Sequence, residues 1–461
     1  MSRVRAPSLT PLNCFELAEN SCAPRPLFYI TETFLPQSNR MEINGADTAW
    51  VLMSGALVLL MTPGLALFYG GMVRAKSTLN MMMMSFAAMG VTTIVWVLYG
   101  YSLAFGPDAG NGLIGDLSNL GLQGTIDQVV GGEGHQIPTL AFVMFQLTFA
   151  IITVALLSGA IADRARFTAW IIFVAVWITL VYAPIAHWGF ASQGGNGGWM
   201  IDRLGSLDFA GGTVVEMNSG AAALALAIVL GKRDGFRRDP MRPHNIPFVL
   251  LGAGLLWFGW FGFNAGSALS AGQLAATAMI NTQVATAAAA MSWIAFEKIR
   301  DGKPTTLGVA SGAIAGAVAI TPSCGYVTPL GALAIGLFGG VASAWAVSRK
   351  YKWGYDDSLD VVGIHGVGGL VGMIAIGLIG TKAVNAAGGD GLFVSGDPSL
   401  LIKQVIASVA TIAYSFIVTW IIATVISRTI GFRVRTEEEV TGLDTVEHAE
   451  SAYDFTLHAN R

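Results

Sequence analysis

The sequence predicts an all-α integral membrane protein with eleven transmembrane helices, built as an inverted five-helix repeat plus one extra helix. Three observations predict this fold class. Of its 461 residues, 53% are hydrophobic and only 12% are charged, against about 25% charged in a typical soluble domain. Eleven continuous apolar segments follow residue 41. Two of these segments repeat one pattern of ionisable residues at a spacing of 149 positions, as the halves of a duplicated membrane protein would.

The apolar segments are uninterrupted, which favours helices over the alternating strands of a membrane barrel. Most are long enough to cross about 30 Å of hydrocarbon, and the eighth is marginal. Glycine is abundant, with 57 residues, which suits helices that pack closely through small side chains. The segments lie near residues 48–69, 82–104, 139–161, 167–189, 210–231, 247–264, 274–296, 307–320, 328–347, 361–379 and 402–427.

The basic residues of the loops predict the orientation. Alternate loops, beginning with the one after the first segment, hold 18 lysines and arginines, whereas the opposite set holds three. The basic side of a membrane protein is normally the cytoplasmic one, so we expect the N-terminus outside and the C-terminus in the cytoplasm. With five helices in each repeat, this count also gives the two halves opposite orientations.

The two ends of the chain are assigned apart from the transmembrane domain, residues 41–430. Residues 1–40 contain five prolines and no signal-peptide core. We expect them to be an upstream extension of the gene model or a disordered arm, with a functional extracytoplasmic segment as the alternative. Residues 431–461 are too short and too polar for an enzymatic domain, and are predicted to be a cytoplasmic regulatory or packing tail.

The repeated pattern predicts the centre of the functional site. In each copy an aspartate opens an apolar helix and an ionisable residue follows eight positions later: Glu216 follows Asp208, and His365 follows Asp357. Eight helical residues rise roughly 12 Å, which carries Glu216 and His365 towards the bilayer middle. A lone buried histidine is more often a packed core residue, but pairing with a carboxylate at similar depth favours a functional pair that shares one proton. Asp208 and Asp357 are predicted to cap their helices, with a structural and electrostatic role.

Several runs of residues resemble a known family. They are PGLALFYGGMVRAK (63–76), DFAGGTVVEMNSGAAAL (208–224), GWFGFNAGS (259–267), DVVGIHGVGG (360–369) and, in the tail, GLDTVEHAESAY (442–453). In this order, from about residue 41 to residue 453, they resemble the Amt branch of the ammonium transporter family, Amt/Mep/Rh.

The resemblance implies a transporter of the plasma membrane and no enzyme activity or cofactor. It implies a homotrimer whose subunits each contain a narrow hydrophobic pore for ammonium or ammonia. It also suggests a PII signal-transduction protein as a cytoplasmic partner that blocks the pore. The basic loop 232–242 is either such a partner site or a plain consequence of the positive-inside rule, and nothing in the composition indicates a nucleic-acid partner.

The resemblance also implies roles for single residues. Ser267 and Phe149 match the outer ammonium-recruitment site. Phe263 matches the second aromatic residue of the gate that Phe149 begins, and Trp260 matches a tryptophan that lines the pore. Asp208 matches an essential aspartate, and His365 matches the second histidine of a twin-histidine pair.

Two positions depart from the family pattern. Glu216 stands where the first twin histidine is expected. The tryptophan of the outer site falls on Phe190, within a loop that carries an insertion, so Trp188 or Trp199 are alternative sources of the missing ring.

The function predicted from these observations is electrogenic ammonium transport. Ammonium would lose its proton at the outer site, and Glu216 and His365 would relay that proton while ammonia crosses the apolar section. The alternatives are an Rh-like channel for neutral ammonia and an ammonium sensor that does not conduct.

Overall fold

The computed structural model describes residues 42–453, and this part of the chain is an assembly of apolar helices. Ten are long and apolar enough to cross a membrane. An eleventh, α8, is apolar but has only 15 residues. In chain order they are α1 (Gly45–Met72), α2 (Ala75–Phe105), α3 (Thr139–Ile161), α4 (Phe167–Phe190), α5 (Gly212–Leu230), α6 (Ile246–Gly266), α7 (Gln273–Asp301), α8 (Thr306–Ile320), α9 (Pro329–Trp353), α10 (Val362–Ile379) and α11 (Ser399–Thr429).

The fold class predicted from the sequence is confirmed, and each helix coincides with one predicted apolar segment. The count of eleven crossings stays a prediction, because the short α8 is the segment that is marginal by length. The predicted extension, residues 1–40, lies outside the described residues.

Local sequence signals begin and end many of these helices. The side chains of Asn44, Asn245, Thr305 and Thr328 accept a hydrogen bond from the backbone N–H three residues later, which satisfies a free donor at the helix start. Gly354, with a φ of 83°, ends α9 in the left-handed conformation that favours glycine.

Helices α5 and α10 run in opposite directions beside one another. At one end, Phe209 packs edge-on against Tyr326, whose carbonyl accepts the backbone N–H of Thr381 just after α10. At the other end, Arg233, just after α5, forms an ion pair with Asp356, just before α10. The start of each helix therefore lies at the end of the other, as an inverted repeat requires.

These two helices cross at glycines. A Cβ atom on Gly220 would lie 2.3 Å from the Cα of Gly366, and one on Gly369 would lie 2.8 Å from the Cβ of Glu216. Gly220 and Gly369 occupy equivalent positions of the two repeats, 149 residues apart. The absence of side chains at these positions lets the two backbones approach closely.

Short elements lie outside the membrane-spanning helices. The loop between α2 and α3 contains an antiparallel pair of two-residue strands, Val129–Val130 and Ile137–Pro138. Further helical turns are Leu120–Leu122, Trp199–Leu204 and Leu392–Ser395. The tail forms two helices, α12 (Thr436–Thr441) and α13 (Leu443–His448).

The tail packs against the loops at one end of the helix assembly. The buried carboxylate of Glu439 accepts hydrogen bonds from the Arg433 side chain and from the backbone N–H of Asp234. The carboxylate of Asp444 accepts the backbone N–H groups of Leu79 and Asn80 in α2. The tail therefore contacts loops from several parts of the chain.

Candidate functional site

A narrow apolar lumen lies among α1, α3, α5, α6, α8 and α10. Its walls include Leu65, Ile152, Leu256 and Ile314, and the carboxylate of Glu216 and the imidazole of His365 also face it. Its volume is about 10 Å³, which corresponds to one water-sized molecule. A lumen of this size and polarity excludes a hydrated ion.

Glu216 and His365 meet at this lumen. Glu216 Oε2 and His365 Nδ1 are 2.7 Å apart, and both residues are at least 97% buried. Each stands in a wide π-helical turn at the start of its helix, Gly212–Met217 in α5 and Val362–Gly366 in α10. Because π turns displace a side chain from its regular helical position, they help to bring the two groups together.

Two closely packed, tilted phenylalanine rings lie between the lumen and an outer cavity. The ring centroids of Phe149 and Phe263 are 4.2 Å apart with an angle of 32° between the planes. Phe149 lines the outer cavity and Phe263 lines the lumen. The rings fill the space between the two, so a molecule that passes must displace them.

Trp260 packs beneath this pair. Its ring centroid is 5.6 Å from that of Phe263, and its Nε1–H donates to Thr321 Oγ1 at 2.9 Å. The Thr321 hydroxyl in turn donates to the carbonyl of Ala317 in α8. This chain of hydrogen bonds fixes the orientation of the indole that lines the lumen. The sequence analysis missed Thr321, because only the packing of α6 on α8 brings the two side chains together.

The outer cavity has a volume of about 210 Å³ and is lined by Phe149, Phe190, Ser267 and Asp208, among others. The Ser267 hydroxyl donates to the carbonyl of Phe263 at 2.8 Å. Since its hydrogen is used in this way, the Ser267 oxygen is left with lone pairs that can accept a bond from a cation. Ring faces and an acceptor oxygen are the groups that a small cation with N–H donors requires.

Gln146 also lines this cavity, and sequence reasoning missed it. Its Oε1 atom is buried and accepts no hydrogen bond from any residue that the structure describes. A buried acceptor without a partner is costly, so it marks a place where a ligand or water can donate. The signal was present as a polar residue in an otherwise apolar helix.

Phe190 lines the outer cavity, whereas Trp188 packs elsewhere. Within the described residues the Phe149 ring has three aromatic neighbours, Phe145, Phe190 and Phe263. The Phe190 centroid is 6.4 Å from that of Phe149, with the rings perpendicular. Trp188 donates its Nε1–H to the carbonyl of Leu113 at 2.8 Å, and its ring packs against Trp199 and Tyr414.

Asp208, which lines the outer cavity, caps α5. Its Oδ1 accepts the N–H groups of Gly211 and Gly212 at 2.8 and 2.7 Å, and its Oδ2 accepts the N–H and the hydroxyl of Thr213. The turn needs glycine at Gly211, whose φ is 120°. Gln404 in α11 holds the preceding residue, Leu207, by bonds to both its N–H and its carbonyl. The sequence pointed to the cap but gave no sign of this support.

Asp357 is the counterpart at the start of α10. Its Oδ2 accepts the N–H of Val362 at 2.7 Å, and the Lys350 ammonium donates to its backbone carbonyl and to the Asp360 carboxylate. Burial raises the pKa of the Asp357 carboxyl to about 6, although the nearby Lys350 charge acts in the opposite direction.

The arrangement is therefore an outer cavity with ring faces and acceptor oxygens, a pair of packed phenylalanine rings, and an apolar lumen that contains one Glu/His pair. The family of the chain is decided by one comparison: the model of the Ammonium Transporter Family matches residues 49–453. The chain belongs to the ammonium transporter family.

Individual relatives agree with this membership. The ammonium transporter of Mycobacterium tuberculosis (strain ATCC 25618 / H37Rv) is 54% identical over 436 residues, which are 90% of this chain and 91% of that protein. The crystal structure of Saccharomyces cerevisiae Mep2 matches with a TM-score of 0.78 and 34% identity, over 86% of this chain and 92% of that one. A solved structure described as a sensor Amt protein matches with a TM-score of 0.78 and 27% identity, over 87% of this chain and 98% of that one.

Membership confirms the resemblance seen in the sequence. Members of the ammonium transporter family are multi-pass membrane transporters, so the prediction of a transporter instead of an enzyme is also confirmed.

Proposed function

We propose that the protein carries ammonium across the plasma membrane electrogenically, by separating it into ammonia and a proton that cross together. The observation that carries the proposal is the 2.7 Å contact between Glu216 Oε2 and His365 Nδ1 inside an otherwise apolar lumen. A buried carboxylate beside an imidazole can accept one proton and return it.

Recognition takes place in the outer cavity. The ring faces of Phe149 and Phe190 attract the ammonium cation, a contact worth about 0.5–2 kcal/mol. The Ser267 oxygen accepts one N–H of the cation, and Gln146 Oε1 is a further acceptor. Asp208 does not ligate the cation directly, since its oxygens already accept bonds from α5. Its negative charge lowers the energy of a cation in the cavity.

Deprotonation occurs before the ring gate. Ammonium gives its proton to a water at the outer site, and the neutral ammonia passes between Phe149 and Phe263 into the lumen. The proton reaches the Glu216/His365 pair, which passes it towards the side of the membrane where Asp357 lies. One positive charge thus crosses for each ammonia molecule.

This division gives selectivity against potassium. Potassium has no proton to release, and the walls of the lumen offer it no shell of oxygen ligands in place of its water. Without such replacement ligands, the free-energy cost of moving an ion from water into an apolar cavity is prohibitive.

The assembly and surroundings are proposed from the family. We expect three identical subunits, each with its own lumen, with the N-terminus outside and the C-terminus in the cytoplasm. The 18 to 3 distribution of basic residues between the two sets of loops supports this orientation. A PII signal-transduction protein is the proposed cytoplasmic partner, and it would bind over the inner ends of the pores.

The deciding experiment measures ammonium-induced current from purified protein in liposomes adsorbed to a solid support. We compare the wild type with Glu216→Gln and with Glu437→Gln, an exposed tail residue, as the matched control. Glutamine keeps the shape of Glu216 but cannot accept the proton, so we expect at least a tenfold smaller current. Glu437→Gln should leave the current unchanged, and potassium should give no current in any variant.

The same experiment distinguishes the alternatives. An unchanged current in Glu216→Gln would remove the pair from the proton path. If the wild type gave no current but released ammonia in stopped-flow assays, the protein would be a channel for the neutral gas. Binding without any flux would make it a sensor, the kind of protein named in the description of one structural match.

A further inference from the structure

A cluster of basic and aromatic side chains lies beside the end of α9, away from the lumen. It is formed by the loop after α5, with Lys232, Phe236 and Arg237, and by Tyr351 and Trp353 of α9. We call it the basic-aromatic cluster. The proposed pore makes no use of any of these residues.

Two cations of the cluster converge on one point. The Lys232 Nζ atom and the Arg237 Nη2 atom lie 3.9 and 3.8 Å from the position that a Cβ on Gly354 would occupy. Both cations also stand near the Phe236 ring, at 5.8 and 5.9 Å from its centroid. Because both cationic nitrogens lie so close to this one position, a single phosphate group can contact both.

Neither cation is neutralised within the part of the chain that the structure describes. Of the acids in the same loop, Asp234 pairs with Arg238 at 3.0 Å, and the Asp239 side chain lies against Gly235. The end of α9 contributes a partial negative charge of about one half, which is less than the two cations carry. Arg237 also has a φ of 69°, a costly conformation for a residue with a side chain. The positive-inside rule explains basic residues in this loop, but not their convergence.

The surroundings of the cations are those of a membrane surface. Tyr351 is 49% exposed and Trp353 is 58% exposed, both on the last turn of a membrane-spanning helix. The Trp353 ring packs against that of Trp345, over which the Arg349 guanidinium lies at 5.3 Å. Exposed tryptophan and tyrosine at the end of such a helix stand at the level of the lipid headgroups.

We propose that the basic-aromatic cluster binds the headgroup of an anionic phospholipid. The phosphate lies between Lys232 and Arg237, over Gly354, where the lack of a side chain leaves room for it. Tyr351 and Trp353 contact the glycerol and upper acyl region. Basic pockets beside membrane-spanning helices recognise lipid headgroups by this combination of charge and aromatic contact.

Native mass spectrometry of the detergent-purified protein tests the proposal by titration with phosphatidylglycerol and, separately, with phosphatidylcholine. Loss of one near-surface cation weakens anionic lipid binding about fivefold, so Lys232→Gln with Arg237→Gln should weaken binding of the tightest phosphatidylglycerol roughly 30-fold. Lys298→Gln with Lys303→Gln removes the same charge from another loop and should change that binding less than twofold. Phosphatidylcholine binding should be the same in all three proteins.

Other outcomes would overturn the proposal. An equal loss of phosphatidylglycerol binding in both double variants would mean that net charge alone governs binding. Competition by inorganic phosphate at similar concentration would make the cluster a site for a free anion. If phosphatidylglycerol bound equally to the wild type and to the Lys232/Arg237 variant, the basic-aromatic cluster would be excluded as the lipid site. Unchanged ammonium current of that variant in phosphatidylcholine liposomes would show that it is folded.

Discussion

Gly220 of α5 lies directly against Gly366 of α10, with no room for a Cβ atom on Gly220. Such an atom would be 2.3 Å from the Cα of Gly366. The hydrogen bond between Glu216 and His365 spans the same crossing, one turn away along α5. The distance between two backbones thus sets the geometry of the pair in the lumen.

Replacing Gly220 by alanine should therefore disturb both stability and transport. The methyl group must push α10 away, and overpacking of this kind costs about 1–3 kcal/mol. We expect a lower thermal unfolding temperature and a smaller ammonium current, because Glu216 and His365 separate. Gly254→Ala is the control, since a Cβ on Gly254 meets nothing within 4 Å. Equal behaviour of the two variants would show that the crossing tolerates movement.

The ring gate is tested by shortening Phe263. Phe263→Ala removes one of two rings whose centroids are 4.2 Å apart, so water can connect the outer cavity with the lumen. Because Phe263 also lines the lumen, its truncation widens the lumen and admits water that can hydrate an ion there. We therefore expect a potassium current that the wild type lacks, together with a stability loss of roughly 3–5 kcal/mol. Phe258→Ala, on the same helix but 54% exposed, should change neither property. A variant that stayed closed to potassium would assign the selectivity to the lumen walls alone.

The two roles of Asp208 are separable. Asp208→Ala removes both carboxylate acceptors of the cap on α5 and should cost about 1–2 kcal/mol of stability. Asp208→Asn keeps one acceptor oxygen but removes the negative charge, so it should unfold at a temperature closer to that of the wild type. Both variants should give a reduced ammonium current, measured at equal protein density. Full current in Asp208→Asn would leave the residue with a capping role only.

Asp357 should make stability depend on pH. Burial raises the pKa of its carboxyl to about 6 in the folded protein, above the ordinary value of 3.8. The folded state therefore binds this proton more tightly, so its stabilising effect is complete below pH 3.8 and is lost as the pH rises through 6. The full change is about 3 kcal/mol.

Thermal unfolding between pH 4 and pH 7 measures this dependence. Asp357→Asn, which stays neutral, should show a weaker fall of unfolding temperature with rising pH than the wild type does. Asp239→Asn, at an exposed position, serves as the control and should follow the wild type. Parallel curves for all three proteins would mean that other groups cause the dependence.

Much of the fold follows from one-dimensional properties of the chain. Length and continuity of apolar runs located every helix from α1 to α11, because a helix that crosses lipid must be apolar along its whole length. The 149-residue repeat placed Glu216 opposite His365, since equivalent positions of antiparallel repeats meet near their common axis. The cap formed by Asp208 followed from its place before an apolar run.

Features that depend on contacts between distant residues could not be predicted in this way. The hydrogen bonds between Gln404 and Leu207 join residues 197 positions apart. The wide turns that carry Glu216 and His365 have no signature in their sequences. Which aromatic residue stands beside Phe149 in the outer cavity was left open for a similar reason: Trp188 donates to the carbonyl of Leu113, and only the packing of distant segments places Phe190 next to Phe149.

The small volume of the lumen limits how molecules can move through it. A space of about 10 Å³ holds one molecule at a time. Molecules must then move in single file, and none can enter until its predecessor has left. In the proposed mechanism, turnover should therefore saturate at a ceiling set by the residence time of one ammonia molecule, however high the external ammonium concentration is. Water, which is of similar size, must compete with ammonia for the same position in the lumen.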